Sequence, residues 1–249
     1  SEEYPLTSSS VAAAWQTSET GAVGSAAAYS TAQRTIAPNN TLGVQMKLTR
    51  KTLKQSGDAL EQAVRRDMNG CIAQALDKAV FLGAGASGEP AGLLVGSYSI
   101  TSTSVAAAAS WAAFRSAIVR FMTDNAATGP GDVNLLIRPE VFDKMDGTYI
   151  TSTAVTEWDR LTKNVPAPVM TTNGLAAPTG SPLATKALLT TSVGGVAPFF
   201  VGLWGGVDLI RDPFSDAASG GLRLTGLVTA DVSAGRAQQL QILTGVQVA

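Results

Sequence analysis

The residues that could do chemistry in this chain are few, and their types exclude more than they suggest. There is no histidine, and there is one cysteine, Cys71. Without an imidazole neither a Ser-His-Asp nor a Cys-His arrangement can be assembled, and the common zinc sites are excluded with it. One cysteine cannot close a disulfide within the chain. Cys71 falls on an apolar helical stripe, where a buried, inert thiol is expected. Paired carboxylates such as Asp208 and Asp212 invite an acid–base reading, but Asp212-Pro213-Phe214 is more simply a strand end and a turn. Gly83-Ala-Gly-Ala-Ser-Gly88 matches G-x-G-x-x-G. A dinucleotide fingerprint needs a strand before it and a helix after it, whereas here a helix precedes and Pro90 follows. Asn39-Asn40-Thr41 is a formal glycosylation sequon, which has meaning only behind a secretory signal. No catalytic residue, metal or cofactor is expected.

Charge and composition narrow the classes further. Between Arg34 and Arg66 there are seven basic residues (Arg34, Lys47, Arg50, Lys51, Lys54, Arg65, Arg66) against Asp58 and Glu61, in a chain of net charge −1. A basic segment set against an acidic remainder suggests complementarity between subunits or loose phosphate contact; a solvated helix face is the bland alternative. The overall charge does not suggest a dedicated nucleic-acid binder. Hydrophobic residues make up 45% and charged ones 15%, which suits a protein that buries more surface by assembling. No run of 18 apolar residues occurs, so no helix is expected to cross a membrane. Ser1-Glu2-Glu3 is neither an initiating Met nor a signal peptide; a removed precursor segment would explain it, and so would a trimmed chain.

The elements that must position these residues are organised around Lys54 to Gly83. Leu60, Val64, Met68, Cys71, Ile72, Leu76 and Val80 fall at steps of three and four on one stripe. Gly57-Asp58 supplies a start, with Asp58 as cap and Glu61 three residues on, and Gly83 supplies the stop. The spacing predicts a spine helix over 57–82. Before it, residues 1–14 are a polar arm without a core, and the Ser/Thr/Gly/Ala-rich stretch to Leu42 reads as an extended two-stranded flap. Its turn is set by Gly21-Ala-Val-Gly24 or by Pro38-Asn39-Asn40. An isolated hairpin is marginal in water, so the flap needs a neighbour. Val44, Met46 and Leu48 alternate as a half-buried strand.

After the spine, 110–122 is an amphipathic helix with Trp111, Phe114, Ile118, Phe121 and Met122 on its apolar side. Val133–Ile137 is a short buried strand, and Pro139–Met145 one or two helical turns. Asp146 to Thr185 is rich in turns and suits an exposed surface. Strands are expected at Ala187–Thr191, Phe199–Trp204, Val207–Arg211, Leu222–Val232 and Gln238–Leu243. Helices and strands mix in the middle and the end returns as sheet, an α+β pattern.

Three groups of motifs carry a resemblance. Trp15-x-x-x-Glu19, Thr35-Ile-Ala-Pro-Asn-Asn-Thr-Leu-Gly43 and Met46-Lys-Leu-Thr-Arg-Lys-Thr-Leu-Lys-Gln-Ser56 resemble the flap and flap base of the HK97-type tailed-phage major capsid proteins. Phe81-Leu-Gly-Ala-Gly85 with Gly88-Glu-Pro-Ala-Gly-Leu-Leu94 resembles that family's helix exit. Val201-Gly-Leu-Trp-Gly-Gly-Val-Asp-Leu-Ile-Arg-Asp-Pro-Phe-Ser215 resembles its closing segment. The resemblance covers most of the chain in order. It implies an N-terminal arm (1–15), an extended loop (16–47), a peripheral domain (48–100 and 205–232) and an axial domain (101–204 and 233–249).

By the same resemblance the protein is a shell subunit forming pentamers and hexamers of an icosahedral capsid around double-stranded DNA bound without sequence specificity. Its maturation would follow loss of an N-terminal scaffolding segment. Portal, scaffold or protease, and decoration proteins would be its partners, and assembly would take place in the cytoplasm of a bacterial host. Trp15, Glu19, Arg34, Lys47, Arg50, Lys54, Arg65, Arg66 and Asp212 are the residues expected at contacts between subunits. An encapsulin-like nanocompartment shell, with the same fold around an enzyme cargo, is the alternative; a hydrolase on an unrelated α+β fold lacks any site. Some family members weld their subunits by an amide bond between a flap lysine and a neighbour's asparagine, helped by a glutamate. Here the first lysine is Lys47, at the flap's base, the turn Asp212 to Gly221 holds no asparagine, and Leu222 to Val232 holds no glutamate. No such weld is expected.

Overall fold

The long helix begins seven residues before the expected start. In a computed structural model, which describes residues 2–7, 15, 28, 31–166, 168–192, 195 and 197–249 and omits the side chains of 6, 7, 32 and 56–58, α1 spans Arg50–Leu82. Its 33 residues extend about 50 Å at 1.5 Å per residue. The cap is Thr49, extended at φ −83°, ψ 153°, whose hydroxyl accepts from the Thr52 amide. Gly57 therefore lies inside the helix. Its cost of about 1 kcal/mol is outweighed because Leu53 and Leu60, on either side of it, pack on the same core. Gly83 ends the helix as expected, its amide donating to the Ala79 carbonyl.

Helix α1 lies on a three-stranded antiparallel sheet. The sheet is formed by β3 (Thr41–Leu48), β9 (Leu222–Ala234) and β8 (Phe199–Asp212), with β9 central. Val64, Met68 and Ile72 are buried along the underside of α1; Val64 and Met68 join Leu48, Leu222 and Leu224 in one cluster. Directly beneath is Gly226: a Cβ there would stand 3.0 Å from Ile72 Cδ1 and 3.2 Å from Val44 Cγ1. The missing side chain lets the helix settle onto the sheet. Cys71 is exposed, not buried. It lies about 100° round the helix from Ile72, at the flank of the buried line.

The flap is assembled differently from the expected hairpin over 16–47. β2 (Thr31–Ile36) pairs antiparallel with β1 (Glu2–Thr7), from Glu2 opposite Ile36 to Thr7 opposite Thr31. One of its strands thus comes from the segment expected to be arm. The half-buried strand expected at Val44–Leu48 lies within β3, which pairs with β9 over its full length, Thr41 opposite Thr229 to Leu48 opposite Leu222. Pairing with β9 puts Leu48 in the core beneath α1, burial that a free ribbon cannot offer. Residues 37–40 tie the chain to β9 instead of closing a hairpin. Asp231 accepts from the Ala37 amide (3.1 Å) and from Asn40 Nδ2 (3.3 Å), and the Ala230 amide donates to the Asn40 carbonyl. The turn proposed at Gly21–Gly24 lies outside the described residues.

The rest of the chain builds a five-stranded sheet, ordered β4 (Thr101–Ala108), β10 (Leu240–Gln247), β7 (Ala184–Thr191), β5 (Val133–Ile137), β6 (Val169–Met170). Helices α2 (Trp111–Thr123), α3 (Pro139–Asp146) and α4 (Glu157–Asn164) accompany it. Trp111, Phe114, Ile118 and Phe121 of α2 are buried with Leu135, Ile137, Leu189 and Leu243. Met122 is exposed, one residue and about 100° past Phe121.

The stretch 146–185 is not turns alone, since α4 lies within it. The Thr156 hydroxyl accepts from the Asp159 amide and Asp159 accepts from the Thr156 amide, a reciprocal cap, and Leu161 is buried. Glu157 then caps α2, accepting from the Trp111 amide at 2.8 Å. Arg138, also buried, forks onto Glu140 (2.8 and 3.0 Å) and donates to the carbonyls of Thr172 (2.8 Å) and Leu175 (2.7 Å).

The expected strands 199–204 and 207–211 are one strand, β8, with an irregularity between Trp204 and Asp208 at Gly205-Gly206. Its pairing with β9 begins at Phe199 opposite Ala234, so the sheet beneath α1 reaches past the boundaries expected at 205 and 232. The architecture is α+β. Truncating Phe114 to Ala should cost the unassembled subunit about 3–5 kcal/mol, whereas Met122→Ala should stay within about 0.5 kcal/mol. Denaturant unfolding of the two variants measures the contrast.

Candidate assembly surfaces

The glycine-rich turn after α1 is a packing device. A Cβ on Gly83 would sit 2.2 Å from the Pro90 carbonyl oxygen, and one on Gly92 would sit 2.5 Å from the Gly83 amide nitrogen. Both positions need glycine because two backbone segments cross there, with the Gly92 amide donating to the Gly83 carbonyl. The Ala84 amide donates to Glu89 Oε2 at 3.0 Å, so a carboxylate of the chain itself takes a donor that a phosphate would need.

Several candidate contact residues are engaged within the chain. Lys47 Nζ lies 2.7 Å from Asp216, which also receives Arg223 at 2.9 and 3.1 Å. The Asp216 side chain is 7% exposed. Hydrogen bonds from Arg223 first and Lys47 second pull its carboxyl from 3.8 down to about 2. Nothing in the sequence singled out Asp216, because its two partners come from β3 and β9. Arg65 bonds Glu61 at 2.7 Å, and Arg211 of β8 reaches the same carboxylate at 3.3 Å. The hydrogen bond from Arg65 holds Glu61 below its ordinary value. Asp212 accepts from the amides of Phe214 (2.8 Å) and Ser215 (3.1 Å) and from the Ser215 hydroxyl. Those bonds, the hydroxyl's above all, lower its pKa. Asp212 thus caps the turn that follows β8.

The remaining candidates are more open. Arg34 is half-buried opposite Tyr4, which stacks on Phe200 at a centroid separation of 4.7 Å. Arg50, Lys54 and Arg66 are exposed on α1. Trp15 is 99% exposed. Glu19 lies outside the described residues. Sequence reasoning missed the apolar side chains left in solvent along β8 (Val201, Leu203, Val207 and Ile210) and Phe214 beyond it. It also missed a groove of about 400 Å³ between the start of β3, the second half of α1 and the glycine-rich turn. Among the described residues no cluster of three or more His, Cys, Asp or Glu could hold a metal, and no helix is long and apolar enough to cross a membrane.

A long helix on a three-stranded sheet, a five-stranded sheet with its own helices and an outlying two-stranded ribbon define the HK97-like fold of tailed-phage shell subunits. The chain belongs to the phage capsid family, whose model matches residues 1–244; it is a structural protein of the capsid shell. Among solved structures it is similar to the capsid of a native GTA particle (TM-score 0.73, 16% identity, 98% of this chain and 84% of that one). It is also similar to the capsid of Myoviridae phage XM1 (TM-score 0.67, 12% identity, 98% and 84%). A virus-like particle from Pyrococcus furiosus aligns at TM-score 0.58 and 10% identity, over 98% and 86%. No curated protein sequence matches the chain.

Two measurements check this geometry on unassembled subunits. Asp216 has a folded pKa below its unfolded one, so its contribution is complete above pH 3.8 and is lost as pH falls through about 2. Asp216→Asn should lower the unfolding midpoint near neutral pH and remove this group's share of the pH dependence between those limits. Cys71, being exposed, should react with a thiol reagent in the native subunit without denaturant, giving one thiol per chain.

Proposed function

We propose that this protein is the major capsid subunit of a tailed phage or related particle, assembling as pentamers and hexamers into an icosahedral shell around double-stranded DNA. The observation that carries this reading is the ribbon β1–β2. It is a two-stranded sheet, too small to be stable by itself, anchored at one end by Ile36, the Tyr4–Phe200 stack and the Asp231 hydrogen bonds. Such an element becomes stable when a neighbour supplies the missing surface. The apolar side chains in solvent along β8 ask for the same cover. Symmetric shells are built from heterologous contacts of this kind, each closing into a ring.

On this reading α1 and its three-stranded sheet form the peripheral domain, and the five-stranded sheet with α2, α3 and α4 forms the axial domain at the fivefold and sixfold centres. Arg50, Lys54 and Arg66 serve contacts between subunits, while Lys47, Arg65 and Asp212 hold the subunit's own loops. DNA is enclosed without sequence reading, in keeping with a net charge of −1. The subunit is not an enzyme. It matures after losing an N-terminal scaffolding segment, assembles in the cytoplasm of a bacterial host, and works with portal, scaffold or protease, and decoration proteins. A compartment around an enzyme cargo is the second reading; membership of the phage capsid family over residues 1–244 supports the phage shell as the first.

Two experiments test the assignment. Replacing residues 8–30 by a short Gly-Ser turn should leave the subunit folded by circular dichroism and abolish closed shells in electron micrographs; normal particles would overturn the need for this segment in assembly, and a parent chain that forms no particles would overturn the shell reading. Mature particles boiled in detergent should run as one band at the mass of a single subunit. Lys47 is held by Asp216, and the welding asparagine and glutamate are missing from the matching segments. A ladder resistant to reducing agent would contradict this.

A further inference from the structure

We infer that the loop 171–175, held in place by Arg138, fixes the angle between α1 and the five-stranded sheet, and with it the curvature of the rings that the subunit closes. The inference rests on the shell reading above. In that reading the sheet stands at the ring centres and α1 belongs to the periphery, so the angle between them decides how steeply neighbours incline. From Phe81 back to Arg50, α1 runs about 46 Å at 1.5 Å per residue. A rotation of about 5° at the Phe81 end therefore moves Arg50 about 4 Å.

The loop is built to be stiff. It leaves the sheet next to β5, where the Thr171 amide donates to the Ile137 carbonyl at 2.9 Å. The Thr171 hydroxyl accepts from the amides of Asn173 (3.3 Å) and Gly174 (3.0 Å), closing a turn. Arg138, the residue after β5, grips that turn: its Nη1 donates to the carbonyls of both Thr172 and Leu175. Its Nε and Nη2 fork onto Glu140, which fixes the plane of the guanidinium. Arg138 is 8% exposed, so breaking any of these bonds leaves a buried group without its partner.

The far side of the same loop meets α1. Gly174 is buried against Phe81: a Cβ on it would stand 2.8 Å from Phe81 Cδ2 and 3.1 Å from Thr171 Cγ2. The contact has no slack. Gln74, about two turns earlier on the helix, donates to Asn173 Oδ1 at 3.4 Å. Leu175 is buried in one cluster with Val80, Phe81 and Leu82 packed against it. Apolar burial is non-directional, so that cluster by itself lets the last turns of α1 tilt over the sheet. The stop comes from the loop, where bare backbone touches an aromatic ring and a buried guanidinium keeps that backbone from yielding. Arg138 is in this sense a positioning residue, acting on α1 through Gly174.

The test uses full-length chains assembled into particles and sized by electron microscopy, with circular dichroism of the unassembled subunits to confirm folding. Gly174→Ala thickens the contact by one methyl group and Phe81→Leu thins it, so each should shift the particle diameter, in opposite senses. The double variant should return to the parental diameter, the coupling expected of two residues in contact. Open or irregular assemblies from a folded single variant, restored to closed particles in the double variant, count as the same shift. Arg138→Met should broaden the diameters, and Arg138→Lys should not restore them, since an ammonium lacks the planar fork that Glu140 holds. Should Gly174→Ala not fold, Phe81→Leu and the Arg138 variants carry the test. A merely structural role predicts lower unfolding midpoints with particles of parental diameter; that result overturns the inference and leaves the shell reading standing. A parent chain that never assembles overturns both.

Discussion

The contact between the underside of α1 and the sheet beneath it is the constraint on which the rest of the subunit depends. Val64, Met68 and Ile72 reach the sheet because Gly226 removes the side chain that would hold the helix off. Large side chains lost from such a seam cost about 2–5 kcal/mol each, a large share of a marginal stability. The seam also joins distant chain segments, since β3 precedes the helix and β8 and β9 come from the last third of the sequence. The 33-residue helix is therefore held both by β3, its neighbour in sequence, and by β8 and β9, which are distant from it along the chain.

Electrostatic contacts secure what this seam leaves loose. Asp216 gathers Lys47 and Arg223, closing the turn after β8 against the end of β3. Glu61 holds Arg65 on its own helix and Arg211 on the edge strand. Arg138 does similar work in the second sheet, where its guanidinium satisfies two carbonyls of the 172–175 loop and one carboxylate. Burying a charge is costly without partners, and each of these has two or more. Of the basic residues on the spine, Arg65 is thus engaged within the chain, while Arg50, Lys54 and Arg66 are exposed.

The surfaces left unsatisfied are the ones the proposed shell would cover. A ribbon tied down at one end, an edge strand with apolar groups in solvent and a hollow beside α1 have little to contribute to a monomer. In the proposed shell each would become half of a repeated contact, so that the missing burial is recovered once per subunit.

Sequence alone determined the helix stop at Gly83, the buried strand Val133–Ile137, the helix from Trp111 and the α+β class, because local periodicity and turn chemistry govern those features. It also carried the family resemblance, and it disposed of the glycine motif through the order of elements around it. Tertiary structure decided the partner of each strand in the first 48 residues. Thr31–Ile36 and Thr41–Leu48 are adjacent and look like a hairpin, yet one pairs with Glu2–Thr7 and the other with β9. Alternation shows that a strand has a buried face, but not which strand will bury it. It likewise decided that Cys71 faces solvent, since a stripe of seven apolar residues is wider than the line the sheet can cover, and that Asp216 is a charge centre. Its two partners stand 169 and 7 residues away along the chain, and only the closing of β3 onto β9 brings them together.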